Sequence, residues 1–309
     1  MRIATTPATT LQPTPPSNTH KATRIGMWLL LAAALLGDGC VPERGGAFDG
    51  DEALSLVERQ VAFGPRIPGT DGSAQAAEWI GRSLEGSGWE TSVSSSVYQG
   101  VELRNVIGRR GSSNAAGPIV IGTHYDTRPR ADRDPLDPSA PVPGANDGAS
   151  GVAVLLELAR VLPADADHPL IWLAFFDGED SGDLDGWEWS AGAAAFVAQL
   201  DAKPQAVVIV DMVGDSDLRL PRERSSDSIL TDEIWGIARD LGADAFVDEP
   251  GIAILDDHRP FLALGIPAVL IIDLEYDYWH TTGDTQDKVS AESLEQVGSV
   301  LQAWILSRR

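Results

Sequence analysis

The residues best suited to chemistry in this 309-residue chain are carboxylates and histidines that follow short apolar segments. His124 comes directly after one such segment, and the adjacent pair Glu179-Asp180 follows the next. Asp211 follows a third, and His280 lies in the loop after a fourth. The carboxyl ends of parallel strands form one edge of a sheet, where α/β proteins bind their ligands. We therefore expect these side chains to lie close together.

Taken alone, each of these residues has an ordinary structural interpretation. Asp147 precedes a predicted helix, where Asp and Asn commonly cap the first turn. However, Gly144 and Gly148 allow close backbone approach and unusual dihedral angles, which a simple cap does not require. The adjacent carboxylates of Glu179 and Asp180 would normally face water. Placed near one point, they need a cation or a raised pKa.

A zinc site would explain the combination. Zinc binds imidazole nitrogen and carboxylate oxygen, and a catalytic zinc keeps one of its positions open. Asp147, Asp180 and His280 would supply three ligands, which leaves Glu179 to transfer a proton. The sequence contains one cysteine, Cys40, so a site built from several thiolates is excluded.

The elements that must position these residues can be read from the apolar pattern. Four short apolar segments have the composition of strands buried on both faces: 118–122, 170–176, 206–210 and 268–272. Segments with helical spacing surround them: 51–63, 73–87, 150–162, 190–200, 229–241 and 290–306. Alternating residues within 90–108 indicate antiparallel strands. Together they predict an α/β fold of three layers, with a mostly parallel central mixed sheet and helices on both faces.

The acidic composition limits the partners of the protein. The formal net charge is -23, because 46 acidic residues outnumber 23 basic ones. Such a surface repels phosphates, so we expect no nucleic-acid partner. With 43% hydrophobic residues, the chain is long enough to bury the core of one large α/β domain.

The beginning of the chain differs from the rest. Residues 1–20 are rich in Thr and Pro and are expected to be disordered. The apolar run 27–36 is too short to span a bilayer and suits a secretory signal. It is followed at Cys40 by a sequence similar to a lipoprotein processing site, although Asp38 stands where a small residue is usual.

This segment leaves three outcomes open: a lipid on Cys40, plain secretion, or an uncleaved anchor. In each case the protein works outside the cytoplasm. We expect a membrane-anchored lipoprotein of a bacterial envelope, or otherwise a periplasmic or secreted protein. Contact with a membrane is then made only through Cys40 or the N-terminal segment. We predict a leader and tether at 1–48 and one catalytic domain at 49–309.

Seven ordered blocks between about Val61 and Leu301 resemble the zinc aminopeptidase superfamily, and most closely its glutaminyl-peptide cyclotransferase branch. The blocks are FGPRIPG at 63–69, GTHYDT at 122–127, GAND at 144–147, FFDGED at 175–180, VDMVG at 210–214, DDHRPF at 256–261 and WHT at 279–281. The resemblance implies a zinc-exopeptidase-like fold.

The resemblance also implies a role for each matching residue. In the cyclotransferases, the residues that match Asp147, Asp180 and His280 hold one zinc ion. The acid that matches Glu179 is the general acid and base. One zinc ion is therefore expected.

The other matching residues surround this metal set. The acids that match Asp211 and Asp256 form a hydrogen-bonded support for the reaction, and the tryptophan that matches Trp279 lines the substrate pocket. From the residues alone, Asp256 is equally typical of a helix cap. The aminopeptidases use the same scaffold with two metals. There His124 and Asp211 would hold the second ion, with Asp147 as the bridge.

Asp256, Trp279 and the run FFDG at 175–178 favour the cyclotransferase branch. Two features depart from its animal-type pattern. The chain lacks a cysteine pair beside the metal site, and it has Asp180 where Glu is usual. The carboxylate of Asp180 is one methylene shorter, so its loop must approach the metal more closely or bind it through one oxygen.

The resemblance implies a zinc enzyme that cyclises the N-terminal Gln of peptides or proteins to pyroglutamate with release of ammonia. The alternative is a two-metal zinc aminopeptidase that hydrolyses N-terminal residues from peptides. A third interpretation is a non-catalytic binding protein on the same scaffold. The intact Glu179 and metal set argue against it.

Overall fold

Four parallel strands with continuous apolar sequences form the centre of the fold. The computed structural model describes residues 46–112, 116–164 and 169–308. Its strands are β1 (Glu90–Tyr98), β2 (Val101–Arg110), β3 (Ile119–His124), β4 (Ile171–Phe176), β5 (Ala206–Asp211), β6 (Leu220–Arg222), β7 (Phe246–Pro250) and β8 (Ala268–Ile272). Six of them form one sheet in the order β1-β2-β4-β3-β5-β8, and β6 pairs with β7 separately. Strands β4, β3, β5 and β8 are parallel and buried along their whole length.

Helices cover both faces of this sheet. They are α1 (Gly50–Val61), α2 (Asp71–Gly86), α3 (Ala149–Val161), α4 (Ala191–Ala198), α5 (Ser228–Leu241), α6 (Arg259–Ala263) and α7 (Ala291–Ser307). Alternate strand residues face opposite sides, so Ile119 and Ile121 pack with α1, α2, α3, α5 and α7. Val120 packs on the other side with α4 and α6. This arrangement confirms the predicted three-layer α/β fold with a mostly parallel mixed sheet.

The sequence located the long elements well and missed the short ones. Every predicted helix and parallel strand begins and ends within two residues of its observed bounds. The antiparallel pair β1 and β2 lies where alternation indicated strands. The β6–β7 pair was not predicted, because a strand of three residues is too short to show a period.

The order of the strands creates a crevice at one edge of the sheet. After β3 the chain crosses to β4 on one side, and then to β5 on the other side of β3. The carboxyl ends of β3 and β5 therefore diverge at a topological switch point, where α/β proteins bind ligands. His124 ends β3 and Asp211 ends β5, so both stand at this crevice.

A buried arginine fixes both ends of the connection 125–148, which joins β3 to α3 beside the crevice. The Arg66 guanidinium donates to the carbonyl oxygens of Tyr125 at 3.0 Å, Pro143 at 3.0 Å and Gly144 at 2.5 Å. Its backbone N–H donates to Thr127 Oγ1 at 2.9 Å. Burial lowers the pKa of Arg66 to about 10, and the carbonyl oxygens compensate the desolvated N–H groups. The two ends of the connection from β3 to α3 are thereby tied together.

The predicted leader and tether lie almost wholly outside the described residues, and so does Cys40. The boundary between 48 and 49, the lipid anchor and the extracytoplasmic location stay predictions. The described residues belong to one compact unit. Within them, no helix has the length and apolar content needed to cross a membrane.

Candidate active site

Asp147 stands between two imidazoles at the crevice. Its Oδ1 lies 3.2 Å from His124 Nε2, and its Oδ2 lies 3.9 Å from His280 Nε2. All three side chains are almost completely buried. One carboxylate thus belongs to two clusters of candidate metal ligands, one on each side.

The first cluster is Asp147, Asp180 and His280, the set predicted to hold zinc. Asp180 Oδ1 lies 3.2 Å from His280 Nε2. Tetrahedral zinc ligands at 2.0–2.1 Å from the ion are about 3.3 Å apart, so this spacing suits one ion. Asp147 Oδ2 and Asp180 Oδ2 are buried and have no hydrogen-bond partner among the described residues. Buried carboxylate oxygens without a donor are expected where a cation binds.

The second cluster is His124, Asp147 and Asp211, the set predicted for a second metal. His124 Nε2 lies 3.0 Å from Asp211 Oδ1 and 3.2 Å from Asp147 Oδ1. These donor atoms also fit one ion. The side-chain geometry is therefore compatible with one metal or with two.

Both histidines are oriented through their other ring nitrogen. His124 Nδ1 faces the backbone oxygen of Asp126 at 3.2 Å, and His280 Nδ1 faces Asp132 Oδ1 at 3.5 Å. A carbonyl or carboxylate at this nitrogen selects the tautomer that leaves Nε2 free for a metal. Asp132 is held in turn by Arg128, whose guanidinium donates to it at 2.5 Å and 3.1 Å.

The loop before α3 explains the position of Asp147. The N-cap position of α3 is Gly148, with φ of 97°, and Gly144 has φ of 69°. Both angles favour glycine, as the sequence predicted. The helix-cap interpretation of Asp147 is wrong, because the residue lies before the cap and turns into the crevice. Asp284 fixes this turn: its carboxylate accepts from the backbone N–H of Asn146 at 2.8 Å and of Asp147 at 3.1 Å.

Asp126 holds the acidic pair in a similar way. Its two carboxylate oxygens accept the backbone N–H groups of Glu179 and Asp180, each at 3.1 Å. Gly178, with φ of 77°, makes the turn from β4 into this pair. Arg128 donates to the backbone oxygen of Asp180 at 3.0 Å. The backbone is thereby fixed on both sides of Asp180.

The backbone is strained at two residues of the site. His280 has φ of 58° and Met212 has φ of 47°, in the left-handed region that side chains disfavour. Such conformations cost on the order of 1–3 kcal/mol each and concentrate at functional sites.

Two tryptophans pack against the ring of His280. The Trp189 ring stacks on it with 6.1 Å between centroids, and the centroid of the Trp279 ring lies 4.2 Å from it.

The site contains more negative charge than its own cations balance. Burial raises the pKa of Asp180 well above its usual range, and the charge of Asp147 raises it further. Burial likewise raises the pKa of Glu179, with contributions from Asp256 and Asp211. Burial also lowers the pKa of His280 to about 4, which favours the neutral imidazole that binds metals. A bound cation would relieve this repulsion.

A cavity of about 240 Å³ opens onto the first cluster. Glu179, Asp211, Asp256 and Trp279 all line it together with the cluster, so the structure brings the predicted catalytic and pocket residues to one place. His258, and not Asp256, is the N-cap residue of α6. Asp256 is nonetheless buried and faces the cavity.

Several residues that position the site were not predicted as functional. They are Asp126, Arg128, Asp132, Trp189 and Asp284. Asp126 lies in one of the matching blocks, and Asp284 lies four residues after His280. In a chain with 46 acidic residues, no local pattern separates these acids from surface ones.

We expect Asp284→Asn to weaken zinc binding. Asp284 accepts three hydrogen bonds, from Asn146 N, Asp147 N and the Tyr276 hydroxyl at 2.7 Å. An amide has one acceptor oxygen, so Asp147 loses part of its support. The affinity for zinc, measured by competition with a chromogenic chelator, should fall roughly 10- to 100-fold. Asp227→Asn, at the N-cap of α5, is the control and should bind zinc as the unmodified protein does. Equal affinities in all three proteins would contradict this role of Asp284.

Known proteins are similar to this chain in sequence and in fold. The profile of Peptidase family M28 matches residues 105–305, more than half of the chain. A glutaminyl cyclase from Porphyromonas gingivalis has 30% identity and a TM-score of 0.79, covering 85% of this chain and 99% of that one. A Zn-dependent exopeptidase from Parabacteroides distasonis has the same identity, TM-score and coverage. Aminopeptidase YwaD of Bacillus subtilis is 25% identical over 83% of this chain and 57% of its own length. The resemblance stated from the motifs is confirmed: this chain belongs to Peptidase family M28.

Proposed function

We propose that this protein is a zinc-dependent glutaminyl-peptide cyclotransferase, which converts the N-terminal Gln of peptides or proteins to pyroglutamate and ammonia. The observation that carries the proposal is the group of three carboxylates, Glu179, Asp211 and Asp256, that line the cavity beside the Asp147–Asp180–His280 cluster. Cyclisation needs acids that handle protons on nitrogen, because the substrate supplies its own amine as nucleophile. Similarity to solved glutaminyl cyclases supports the same conclusion.

The fit of the metal follows from the donor set. The first cluster offers two carboxylates and an imidazole, and two of its buried oxygens have no hydrogen-bond partner among the described residues. Zinc bound there would act as a Lewis acid toward the side-chain amide carbonyl of the substrate. One ion at this cluster suffices for the proposed reaction.

Glu179 is the residue that moves the proton. The α-amine of the substrate attacks its side-chain amide carbon and forms the C–N bond of the lactam ring. Glu179 accepts the proton that the amine loses and returns it to the departing nitrogen, which leaves as ammonia. Burial and neighbouring acids raise the pKa of Glu179, as suits a group that both accepts and donates a proton.

The remaining residues hold the reacting nitrogens and exclude water. Asp211 and Asp256 would accept hydrogen bonds from N–H groups of the substrate. The apolar side chains of Trp279, Ile254 and Leu274 line the same cavity. These apolar side chains would pack against the substrate in the proposed complex and displace water from the reacting atoms.

A second candidate is an aminopeptidase. The complete cluster of His124, Asp147 and Asp211 favours it, because a two-metal site needs these ligands. Glu179 would then take a proton from the water that attacks the first peptide bond. Similarity to an aminopeptidase and to an exopeptidase supports this alternative.

The products distinguish the two activities. The purified protein is loaded with zinc and given a Gln-initiated peptide and, separately, leucine p-nitroanilide. We expect the Gln-initiated peptide to release ammonia and to keep its first residue, as measured by mass spectrometry. We expect no release of nitroaniline from leucine p-nitroanilide. Loss of the first residue, or nitroaniline release as the main activity, would establish the aminopeptidase instead. Absence of both products would favour the non-catalytic binding protein.

We expect Glu179→Gln to retain zinc and to lose activity. The substitution removes the proton acceptor without removing a member of either metal cluster. The kcat should fall by about 10²- to 10⁴-fold, while zinc content by atomic absorption stays unchanged. Glu188→Gln is the matched control, because Glu188 is exposed in the same loop region and its loss should be silent. If Glu179→Gln lost its zinc, the assigned roles of Glu179 and Asp180 would be reversed.

A further inference from the structure

A second cavity adjoins the cavity of the active site. It measures about 420 Å³ and shares four apolar lining residues with the first: Ile252, Ile254, Ile272 and Leu274. In the proposed reaction the active-site cavity, of about 240 Å³, receives the N-terminal residue of the substrate. The rest of a peptide must leave along a neighbouring surface, and each extended residue spans about 3.3–3.6 Å. The second cavity is such a neighbouring surface, because the same four residues line both cavities.

Two of the four shared residues, Ile252 and Ile254, lie in a loop that backbone hydrogen bonds hold in place. The loop 251–255 is anchored at its start, where Gly251 N donates to Arg222 O at 2.7 Å. Ile252 O accepts from Arg224 N at 3.1 Å, and Ile254 N donates to Glu223 Oε1 at 3.0 Å. The second cavity is therefore preformed, as binding sites usually are.

Buried Glu223 is the centre of this anchor. Its carboxylate also accepts the backbone N–H and the hydroxyl of both Ser225 and Ser226. Burial alone would raise the pKa of Glu223, but His258 and these donors hold it well below the usual range. His258 Nε2 lies 3.1 Å from Ser225 Oγ, which places this histidine in the scaffold. Glu223 therefore lines the second cavity as a structural residue whose oxygens are already occupied by hydrogen bonds within the protein.

The outer rim of the second cavity is acidic. Glu249 and Glu275 share one cation, Arg219, and their side chains are 62% and 69% exposed. A third cavity of about 550 Å³ adjoins this rim through Arg219 and Glu275. It adds four more carboxylates, those of Asp215, Asp217, Asp273 and Asp277. The surface outward from the active site thus changes from apolar side chains to carboxylates.

We propose that this second cavity binds the residues that follow the N-terminal residue of a peptide substrate, with an apolar side chain inside and a Lys or Arg side chain at the Glu249–Glu275 rim. The exposed side chain of Ile252, at 58%, is part of the apolar surface that such a peptide would cover. The inference rests on the proposed function only in that the substrate is a peptide N-terminus. Cyclase and aminopeptidase activity share that feature.

The test compares three peptides that differ downstream of the same first residue: Gln-Leu-Lys, Gln-Gly-Lys and Gln-Leu-Glu, each extended by the same neutral tail. Glutamine amide, which cannot reach the second cavity, reports on the active site alone. We expect kcat/KM to favour Leu over Gly by about tenfold, from burial of the side chain. We expect kcat/KM to be roughly three- to tenfold higher for Gln-Leu-Lys than for Gln-Leu-Glu at low salt. The difference should decrease as added salt screens the charges.

The charge preference is then tested by Glu249→Lys/Glu275→Lys. This variant should lose or invert the preference for Lys, while glutamine amide is turned over within about twofold of the unmodified rate, which shows that the protein is folded. Glu58→Lys/Glu85→Lys, on α1 and α2, makes the same change in net charge and should keep the preference. Equal values for the peptides in the unmodified protein would overturn the proposal. So would an unchanged preference in the rim variant, or an equal loss in the control variant.

Two readouts distinguish failure of the proposed function from failure of this inference about the second cavity. Mass spectrometry of each reaction distinguishes ammonia loss from removal of the first residue, and the preference is calculated for whichever product forms. Binding of the same peptides to Glu179→Gln, followed by the anisotropy of a dye on the tail, gives the preference without turnover. The same order of affinities there supports the second cavity even if cyclisation fails. Equal affinities overturn it.

Discussion

The position of one carboxylate, that of Asp147, between two imidazoles governs the design of this site. A buried carboxylate is costly unless hydrogen bonds or a cation compensate it. His124 lies against one oxygen and leaves the other without a donor among the described residues. Asp180 repeats the arrangement beside His280. The protein therefore concentrates negative charge at one point, which a divalent cation would neutralise.

The scaffold maintains this charge through backbone contacts made by further carboxylates. Asp284 holds the turn that carries Asp147, and Asp126 holds the turn that carries Glu179 and Asp180. Because backbone N–H groups have no rotamers, they fix the ligands more precisely than side-chain contacts would. Backbone contacts of the same kind explain how the short side chain of Asp180 reaches His280. Its backbone is held from one side by Asp126 and from the other by Arg128, so the loop itself brings the carboxylate to His280.

The sequence predicted the elements whose physics is local and periodic. The apolar runs that became β3, β4, β5 and β8 are buried on both faces, so their composition identified them and their ends located the site. Asp147, Asp180 and His280 were individually ambiguous. Only their shared place at the ends of strands, and the ordered motifs, singled them out. The turn glycines Gly144 and Gly148 were an equally direct signal, since their angles are ones that other residues avoid.

What the sequence did not reveal depends on contacts between distant segments. Asp284 supports Asp147 from 137 positions away, and Asp126 supports Asp180 from 54 positions away. No spacing rule connects such residues. The anchor of the loop 251–255 on Glu223 is hidden for the same reason, because Glu223 follows a strand too short to recognise. The candidate metal ligands could be proposed from the ends of the predicted strands and from the ordered motifs, whereas the residues that position them required coordinates.

The proposed reaction requires a zinc ion held by Asp147, Asp180 and His280. Anomalous diffraction at the zinc edge, from crystals of the zinc-loaded protein, tests it directly. We predict one strong peak within bonding distance, about 2.0–2.2 Å, of an oxygen of each acid and of His280 Nε2. A fully occupied second peak at His124, Asp147 and Asp211 would favour the two-metal aminopeptidase. A peak only at that second cluster, or none at either cluster, would show that the cluster of Asp147, Asp180 and His280 does not hold the zinc.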